Sequence, residues 1–320
     1  MILTDYLTCK KSLQWDYAKQ AGISHAVIRL PEDDNFDVTK KEHWEQLYWK
    51  FVNYGFKPEV IEPMPNSVHD HIKIGDSFRD ESIEKVIKMF PIMDQLDIRI
   101  ICMNFMAHIG WYRTTSIIKE RGGALVTGFD IDKAQIDPTL TIRKEQLWYN
   151  LEYFLKAVVP YAEKYGIKLG IHPDDPPVQK LGNVSRILTS LENVQKAIDL
   201  YPSKSVGVSL CQGTFATMGE DVIKVIKQFC RQDKVFFVHF RDIRGTKTKF
   251  HETFHDNGQT NMVKVVKAYR DCNFNGPIRV DHVPTMSGED NSNPGYASIG
   301  RLFAIGYLKG LLEGSDYSYK

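Results

Sequence analysis

Short apolar runs alternate with longer amphipathic stretches along the whole chain. The short runs are rich in β-branched residues and predict buried strands; they are HAVIRL (25–30), PEVIEP (58–63), IRIICMNF (98–105), IKLGIH (167–172), VGVSL (206–210), VFFVHF (235–240), TKFHE (248–252) and PIRVDH (277–282). The longer stretches predict helices, at Lys40–Val52, Asp80–Leu96, Ile142–Tyr165, Gly182–Leu200, Gly219–Cys230, Thr260–Cys272 and Tyr296–Leu312. Such alternation is typical of parallel sheets built from βαβ units.

The number of predicted strands favours a closed barrel. Eight candidate strands alternate with helices, which predicts an α/β fold of the (β/α)8 TIM-barrel type. A doubly wound sheet is the alternative, but the chain has no GxGxxG after its first strand and no GxxxxGK[ST] phosphate loop. Because the 320 residues contain no repeat and no linker-like composition, we expect one barrel domain over residues 1–320.

One segment, residues 107–141, interrupts the alternation. It shows no clear periodicity and is rich in glycine. Because it follows the third predicted strand, it would lie at the catalytic mouth of a barrel. Long loops in compact domains are usually functional, and the aromatic Trp111 and Tyr112 favour a lid-like insertion over a disordered one.

Composition and charge narrow the class of partner. The net charge of +1 produces no single-sign field, which argues against nucleic acid and anionic membranes and favours a small molecule. The five cysteines include no CxxC pair, so neither a disulfide framework nor a zinc ribbon is expected. We see no signal-peptide core and no apolar run of bilayer length, and therefore expect a cytoplasmic protein.

Four phrases far apart in the chain each contain a residue that can bind a metal. IHPDD (171–175), SLCQG (209–213), VHFRD (238–242) and RVDH (279–282) each follow or close a predicted strand. Parallel barrel strands direct their C-terminal ends to one mouth, so these side chains are expected to converge. Two imidazoles, a thiolate and a carboxylate form a plausible ligand set, although each residue alone has a structural explanation. The candidate ligands are His172, Cys211, His239 and Asp281.

Charged neighbours extend this candidate site. Asp174 or Asp175 could orient a ligand histidine, and the alternative is a solvated loop. Arg241 lies two residues after His239, on the same strand face if the strand continues. A cation beside a metal suits an anionic substrate such as a carboxylate, whereas the structural alternative is a salt bridge at the barrel rim.

The sequence also contains a literal HExxH, HETFH at residues 251–255. In zinc proteases this spacing places two histidines on one helix face. Here the motif follows a β-like run and continues into the turn sequence Asp256-Asn257-Gly258, so we do not expect a helix. His251 and Glu252 are expected at the barrel mouth, as substrate contacts or an additional ligand.

Taken together, the phrases resemble the mannonate dehydratase family of the xylose-isomerase-like barrels. The matching phrases, in chain order, are IKIGDSFRDESIE (72–84), NFMAHIGWYRT (104–114), IHPDDPP (171–177), SLCQG (209–213), VHFRDI (238–243), FHE with His255 and Gly258, and PGYASIGRL (294–302). The resemblance implies a barrel that uses a divalent metal, usually Mn²⁺, to dehydrate D-mannonate to 2-keto-3-deoxy-D-gluconate in hexuronate catabolism. Fe²⁺ and Zn²⁺ are alternative metals, and the family expectation is a homo-oligomer, a dimer or larger.

The resemblance also assigns roles to individual residues. It places the metal on His172, Cys211, His239 and Asp281. Dehydration needs a base for the proton next to the carboxylate, an acid for the departing hydroxide and a cation for the developing charge. Tyr296 is expected in one proton-transfer role, His251 or His282 in the other, with Arg241 as the cation. The candidate substrate contacts are Arg79, Asn104, Trp111 and Arg113.

The chain also departs from the family pattern. Val283 follows Asp281-His282 where the family has glycine, and Gln259 stands where an aspartate is usual. Alternatives therefore stay open: a dehydratase for a different aldonate, a sugar isomerase or epimerase on the same metal-dependent barrel, or a sugar-acid binding protein without turnover. The carboxylate-binding potential of Arg79, Arg113 and Arg241 favours a sugar acid over a neutral ketose.

Overall fold

Strands and helices alternate along the chain in the computed structural model, which describes residues 1–320. The strands are β1 (Ile2–Thr8), β2 (His25–Arg29), β3 (Lys57–Ile61), β4 (Ile100–Met103), β5 (Thr115–Lys119), β6 (Leu125–Asp130), β7 (Thr141–Ile142), β8 (Lys168–Ile171), β9 (Lys180–Leu181), β10 (Asn183–Ser185), β11 (Val206–Cys211), β12 (Val235–Phe240), β13 (Ile243–Thr246), β14 (Lys249–Glu252) and β15 (Pro277–Val280). The helices are α1 (Leu13–Gln20), α2 (Lys41–Tyr54), α3 (Asn66–Ile74), α4 (Arg79–Gln95), α5 (Lys144–Tyr165), α6 (Leu191–Asp199), α7 (Gln212–Met218), α8 (Val222–Cys230), α9 (Met262–Asp271) and α10 (Ser298–Glu313). None of these helices is long and apolar enough to cross a membrane.

Eight parallel strands close into a barrel, which confirms the predicted fold class. Their order around the barrel is β1-β2-β3-β4-β8-β11-β12-β15, and β15 pairs with β1 to close the ring. The strands are short and strongly buried, and every residue of β11 is inaccessible to solvent. Strands covered by helices outside and by side chains inside must be apolar on both faces, which explains their continuous apolar runs.

One member of the predicted strand set is wrong. TKFHE forms β14, which lies outside the barrel, and the remaining barrel strand is β1 at the N-terminus. The polar Asp5 within β1 obscured the strand pattern. Its carboxylate is buried because it accepts a hydrogen bond from Tyr6 N, pairs with Arg301 and accepts another from Gln14. The four candidate metal ligands therefore end the fifth to eighth barrel strands, which are adjacent in the ring.

The predicted helices overlap observed helices, and three short helices were missed. α1, α3 and α7 span only seven to nine residues, too short for a clear apolar period. The helix predicted over Gly182–Leu200 is shorter in the structure, because its first part forms β10 and α6 starts only after Ser190. The Ser190 hydroxyl accepts a hydrogen bond from Asn193 N. A serine at this position satisfies a free backbone donor of the first turn.

Residues 107–141 are ordered into strands, contrary to the irregular segment that we predicted. β5 and β6 form a hairpin whose turn contains Gly122 and Gly123 with φ of 66° and 83°. The hairpin joins β14 and β13 in a four-stranded antiparallel sheet, and β7 pairs with β10 in a three-stranded one. The pairing partner of β6 is β14, more than a hundred residues away, so the local sequence does not indicate this pairing.

We expect an added side-chain carbon at Gly207 in β11 to destabilise the barrel. A Cβ there would lie 2.5 Å from the carbonyl oxygen of Lys234 and 2.6 Å from the ring of Phe236. Gly207→Ala should therefore lower the free energy of unfolding by about 1–3 kcal/mol, as measured by urea denaturation.

Gly310→Ala provides the matched control on the exposed face of α10. No atom lies within 4 Å of the added carbon, and the replacement should stabilise the helix by about 0.5–1 kcal/mol. Equal shifts for the two variants would contradict the packing described for β11.

Candidate active site

A cavity of about 530 Å³ opens among the C-terminal ends of the barrel strands. Its wall includes residues from β1, β2 and β4 as well as from the strands that carry the candidate ligands. This is the end at which barrel enzymes place their active sites, because the loops that follow the strands converge there. The cavity therefore marks the candidate active site.

The four candidate metal ligands lie together at this end of the barrel, where His172, His239 and Asp281 line the cavity and Cys211 is fully buried next to them. The ligand atoms of His172, Cys211 and His239 lie within 4.8 Å of one another, and Asp281 Oδ2 lies 3.6 Å from His239 Nδ1. Atoms bound at about 2.0–2.3 Å to one ion are at most about 4.6 Å apart. The observed spacing is therefore close to what a shared ion requires.

The polar neighbours of the two histidines indicate which ring nitrogen of each carries the proton. Nδ1 of His172 contacts the carbonyl oxygen of Pro173 at 2.6 Å, and Nε2 of His239 lies 2.8 Å from Glu62 Oε1. Both contacts favour a proton on those nitrogens. The remaining atoms, His172 Nε2 and His239 Nδ1, then face each other as bare acceptors 3.1 Å apart.

Two facing lone pairs repel each other unless a cation lies close to both. Burial lowers the pKa of His172, which keeps its imidazole neutral as a metal ligand must be. Thr214 donates a hydrogen bond of 3.1 Å to Cys211 Sγ, and such a bond stabilises negative charge on the sulfur. The donor set and its orientation therefore fit a divalent metal ion.

Glu62 and Arg279 contact the candidate metal ligands, and neither residue was predicted from the sequence. Arg279 contacts both carboxylate oxygens of Glu62 at 2.8 and 3.0 Å and Asp281 Oδ1 at 2.7 Å. Burial raises the pKa of Glu62, but Arg279 and His239 outweigh it and hold the pKa well below its usual range. The available signal was positional, since Glu62 follows β3 at the barrel mouth and Arg279 precedes Asp281 by two residues.

Arg241 is almost fully buried beside the ligands, as the strand period predicted. Its Nη1 lies 2.7 Å from Asp175 Oδ2 and 3.6 Å from both Cys211 Sγ and Asp281 Oδ2. Its Nε lies 3.2 Å from Glu252 Oε2. The positive charge of the Arg241 guanidinium therefore offsets the negative charge of the surrounding acids, and these contacts hold the guanidinium in place.

Tyr296 and His282 lie beside the candidate metal ligands, and His282 Nε2 is 3.7 Å from Asp281 Oδ1. The Tyr296 hydroxyl lies 3.3 Å from His282 Nε2, and His282 Nδ1 lies 3.3 Å from Glu252 Oε1. The ring of Trp111 covers His282 at 4.8 Å between centroids. Burial, reinforced by Asp281, raises the pKa of Tyr296, which keeps its phenol protonated. A neutral donor and an imidazole thus lie side by side.

The other predicted substrate contacts differ in their placement. Asn104 and Trp111 line the cavity. Arg113 does not line it, because its guanidinium is buried in ion pairs with Asp175 and Glu252. Arg79 lies outside the cavity, at the start of α4, where its guanidinium stacks on the Tyr153 ring at 3.6 Å.

The predicted role of His251 is not supported by its position. β14 alternates, so that Phe250 and Glu252 are buried towards the barrel while His251 lies on the other face and outside the cavity. The HETFH segment is a strand and a turn, as we expected, and His255 Nε2 contacts the carbonyl oxygen of Phe240 at 2.8 Å. Gln259 also lies outside the cavity, where its amide oxygen accepts a hydrogen bond from Gly245 N.

Comparison with known proteins supplies the family. The model of the D-mannonate dehydratase (UxuA) family matches residues 3–139 and 130–320. The chain belongs to this family. It is 35% identical over 322 residues to a mannonate dehydratase of Streptococcus agalactiae, covering 91% of this chain and 90% of the relative. The mannonate dehydratase 2 of Halalkalibacterium halodurans is 32% identical, with 93% and 94% covered.

Solved structures agree with the family and with the fold. The crystal structure of mannonate dehydratase from Streptococcus suis matches with a TM-score of 0.90 and 28% identity, covering all of this chain and 97% of that one. A D-allulose 3-epimerase from Methylomonas sp. matches with a TM-score of 0.61 at 13% identity. The second likeness is one of fold alone, and this mannonate dehydratase family member shares that barrel fold.

We expect Cys211→Ala to weaken metal binding sharply, because it removes one of four converging donors. The loss should exceed the roughly 10- to 100-fold typical of removing an outer hydrogen-bond partner of a metal ligand. Metal content after dialysis, and Mn²⁺ affinity by calorimetry, would measure it.

Cys272→Ala is the matched control, because this partly buried cysteine belongs to none of the groups of converging metal-type donors. It should keep the metal affinity of the unaltered chain. Full occupancy in Cys211→Ala would show that the thiol is not a ligand.

Proposed function

We propose that this family member is a hydro-lyase that converts D-mannonate to 2-keto-3-deoxy-D-gluconate. The observation that carries the proposal is the convergence of metal-type donors beside a protonated phenol and an imidazole at the barrel mouth. The reaction removes the proton on C2 and the hydroxyl on C3, so that water leaves and the resulting enol becomes the 2-keto acid.

We propose that His172, Cys211, His239 and Asp281 hold the metal, with Mn²⁺ as the native ion. When bound, a divalent cation supplies positive charge beside the carboxylate and lowers the free energy of the charge that develops on it. Because a thiolate and two imidazoles also bind Zn²⁺ strongly, Zn²⁺ and Fe²⁺ are alternatives that metal analysis would distinguish.

We assign the proton transfers to His282 and Tyr296. Burial raises the pKa of Tyr296 and keeps its phenol protonated, so in this assignment Tyr296 is the group that donates a proton to the departing hydroxyl on C3. His282 Nε2 accepts the proton from C2. The two groups lie 3.3 Å apart, so the proton can pass from His282 to Tyr296 and restore both for the next turnover.

The surrounding residues orient these groups and limit the entry of water. Glu252 contacts His282 Nδ1 and favours a proton there, which leaves Nε2 free to accept one. Arg113 and Arg241 hold Glu252 from two sides, and Trp111 covers the face of His282. These contacts connect the antiparallel sheet, which carries Glu252, to His282.

The decisive assay is the formation of 2-keto-3-deoxy acid from a panel of hexonates by the Mn²⁺-loaded protein. We expect product from D-mannonate and none after removal of the metal with a chelator. Product from another aldonate only would assign a different substrate, whereas interconversion of neutral ketoses without dehydration would assign an isomerase or epimerase instead. Gel filtration of the same sample would test the expected homo-oligomer, and cell fractionation would test the expected cytoplasmic location.

Tyr296→Phe should abolish most of the turnover while leaving the metal bound. Loss of a positioned acid typically lowers kcat by about 10²- to 10⁴-fold, and the phenyl ring preserves the packing. Steady-state kinetics with metal analysis of the same sample would separate these effects.

Tyr161→Phe is the matched control, because that tyrosine is solvent-exposed on α5. It should leave kcat unchanged. Equal activity of the two variants would exclude Tyr296 as the acid.

A further inference from the structure

The cavity wall opposite the metal ligands has a different chemical character. Around the barrel, β3 lies directly across from β12, the strand that carries His239. The connection after β3 leads into α3, which places Asn66, Asp70 and Lys73 at the cavity. Asn104 follows β4 and lines the same region. The proposed reaction uses none of these side chains.

Lys73 is the unusual member of this wall because its ammonium is buried. The side chain is only 2% exposed, and burial lowers its pKa against the opposing effect of Asp70. Its position is fixed through the backbone, since Asn150 of α5 donates a hydrogen bond of 2.8 Å to the Lys73 carbonyl oxygen. A buried charge in a rigid place indicates a defined partner.

The hydrogen-bond capacity of Lys73 is not filled within the protein. Nζ donates to Asp70 Oδ1 at 2.8 Å, and its second contact, to the Met106 carbonyl oxygen, is long at 3.4 Å. An ammonium has three donors, so at least one is available to a molecule in the cavity. The carboxylate of Asp70 is half exposed and offers an acceptor beside it.

This pairing of a donor with an acceptor suits a hydroxyl group better than a carboxylate. A hydroxyl both donates and accepts, whereas a carboxylate only accepts and would be repelled by Asp70. Asn66 and Asn104 likewise present donors and acceptors together. The wall therefore has the character of a polyol subsite.

We propose that Lys73, held by Asp70, binds the terminal hydroxyl groups of the sugar acid and selects six-carbon over five-carbon chains. The proposal rests on the proposed function, in which the carboxylate end lies near the metal ligands and the hydroxyl chain extends across the cavity. Lys73 is then a specificity-determining residue that touches substrate, and Asp70 is a positioning residue that acts through it.

The test compares D-mannonate with D-lyxonate, which has the same configuration at C2, C3 and C4 and lacks C6. The Mn²⁺-loaded full chain and its Lys73→Met variant are assayed for kcat/KM on both acids and for binding of both by calorimetry. Methionine keeps the length of the side chain, and the half-exposed Asp70 remains hydrated, so the fold should persist. Lys85→Met, which breaks an exposed pair with Glu81 on α4, is the matched control.

We expect the unaltered chain to prefer D-mannonate by about 10- to 100-fold, the effect of one hydrogen bond to a charged group. Lys73→Met should lose most of this preference, with a large fall on D-mannonate and a fall of less than about threefold on D-lyxonate. Asp70→Asn should weaken the preference in the same direction, and Lys85→Met should retain it.

Equal falls on both acids would show that Lys73 binds the part that they share, and an unchanged preference would show a structural role only; either result overturns the proposal. Failure of the proposed function looks different. If the unaltered chain turns over neither acid but binds D-mannonate more tightly, and Lys73→Met removes that difference, the subsite stands and the reaction falls. If it binds neither acid, both fall.

Discussion

The site depends on the pairing of buried charges at the barrel mouth. The side chains of Arg113, Arg241 and Arg279 are almost fully buried, and so are those of the acids that surround them. An unpaired charge in such a place would cost several kcal/mol. Each guanidinium is therefore shared between two or more acids, and each acid is held in one orientation. The direction in which Asp281 and Glu252 point is a consequence of this pairing.

The same pairing joins two layers of the structure. The barrel supplies the metal-type donors and Arg241, while the small antiparallel sheet supplies Glu252 from β14. Arg113, from the connection between β4 and β5, bridges Glu252 to Asp175, which follows β8. The sheet therefore covers part of the site from outside the barrel, and Glu252 connects its ion pairs to His282.

The cavity is chemically divided across the barrel. Soft and anionic donors cluster on the four adjacent strands from β8 to β15, and mixed donor–acceptor groups cluster near α3 and β4. An acyclic sugar acid has the same division, with a carboxylate at one end and hydroxyls at the other. The division of polar groups in the cavity therefore matches the division of polar groups in such a molecule.

The sequence by itself determined the barrel class, seven of its eight strands and the convergence of His172, Cys211, His239 and Asp281. These follow from local rules: an apolar run predicts a buried strand, and the end of a parallel strand predicts the barrel mouth. The family phrases added Tyr296 and His282. Only the tertiary structure decided that β1, with its polar Asp5, belongs to the barrel and that part of residues 107–141 pairs with β14. It also decided that Arg79 and His251 lie outside the cavity. Glu62 and Arg279, in contrast, line the cavity next to the candidate metal ligands. The physical reason is the same in each case. A buried acid or an edge strand is stable only with a partner distant in sequence, and no local pattern specifies that partner.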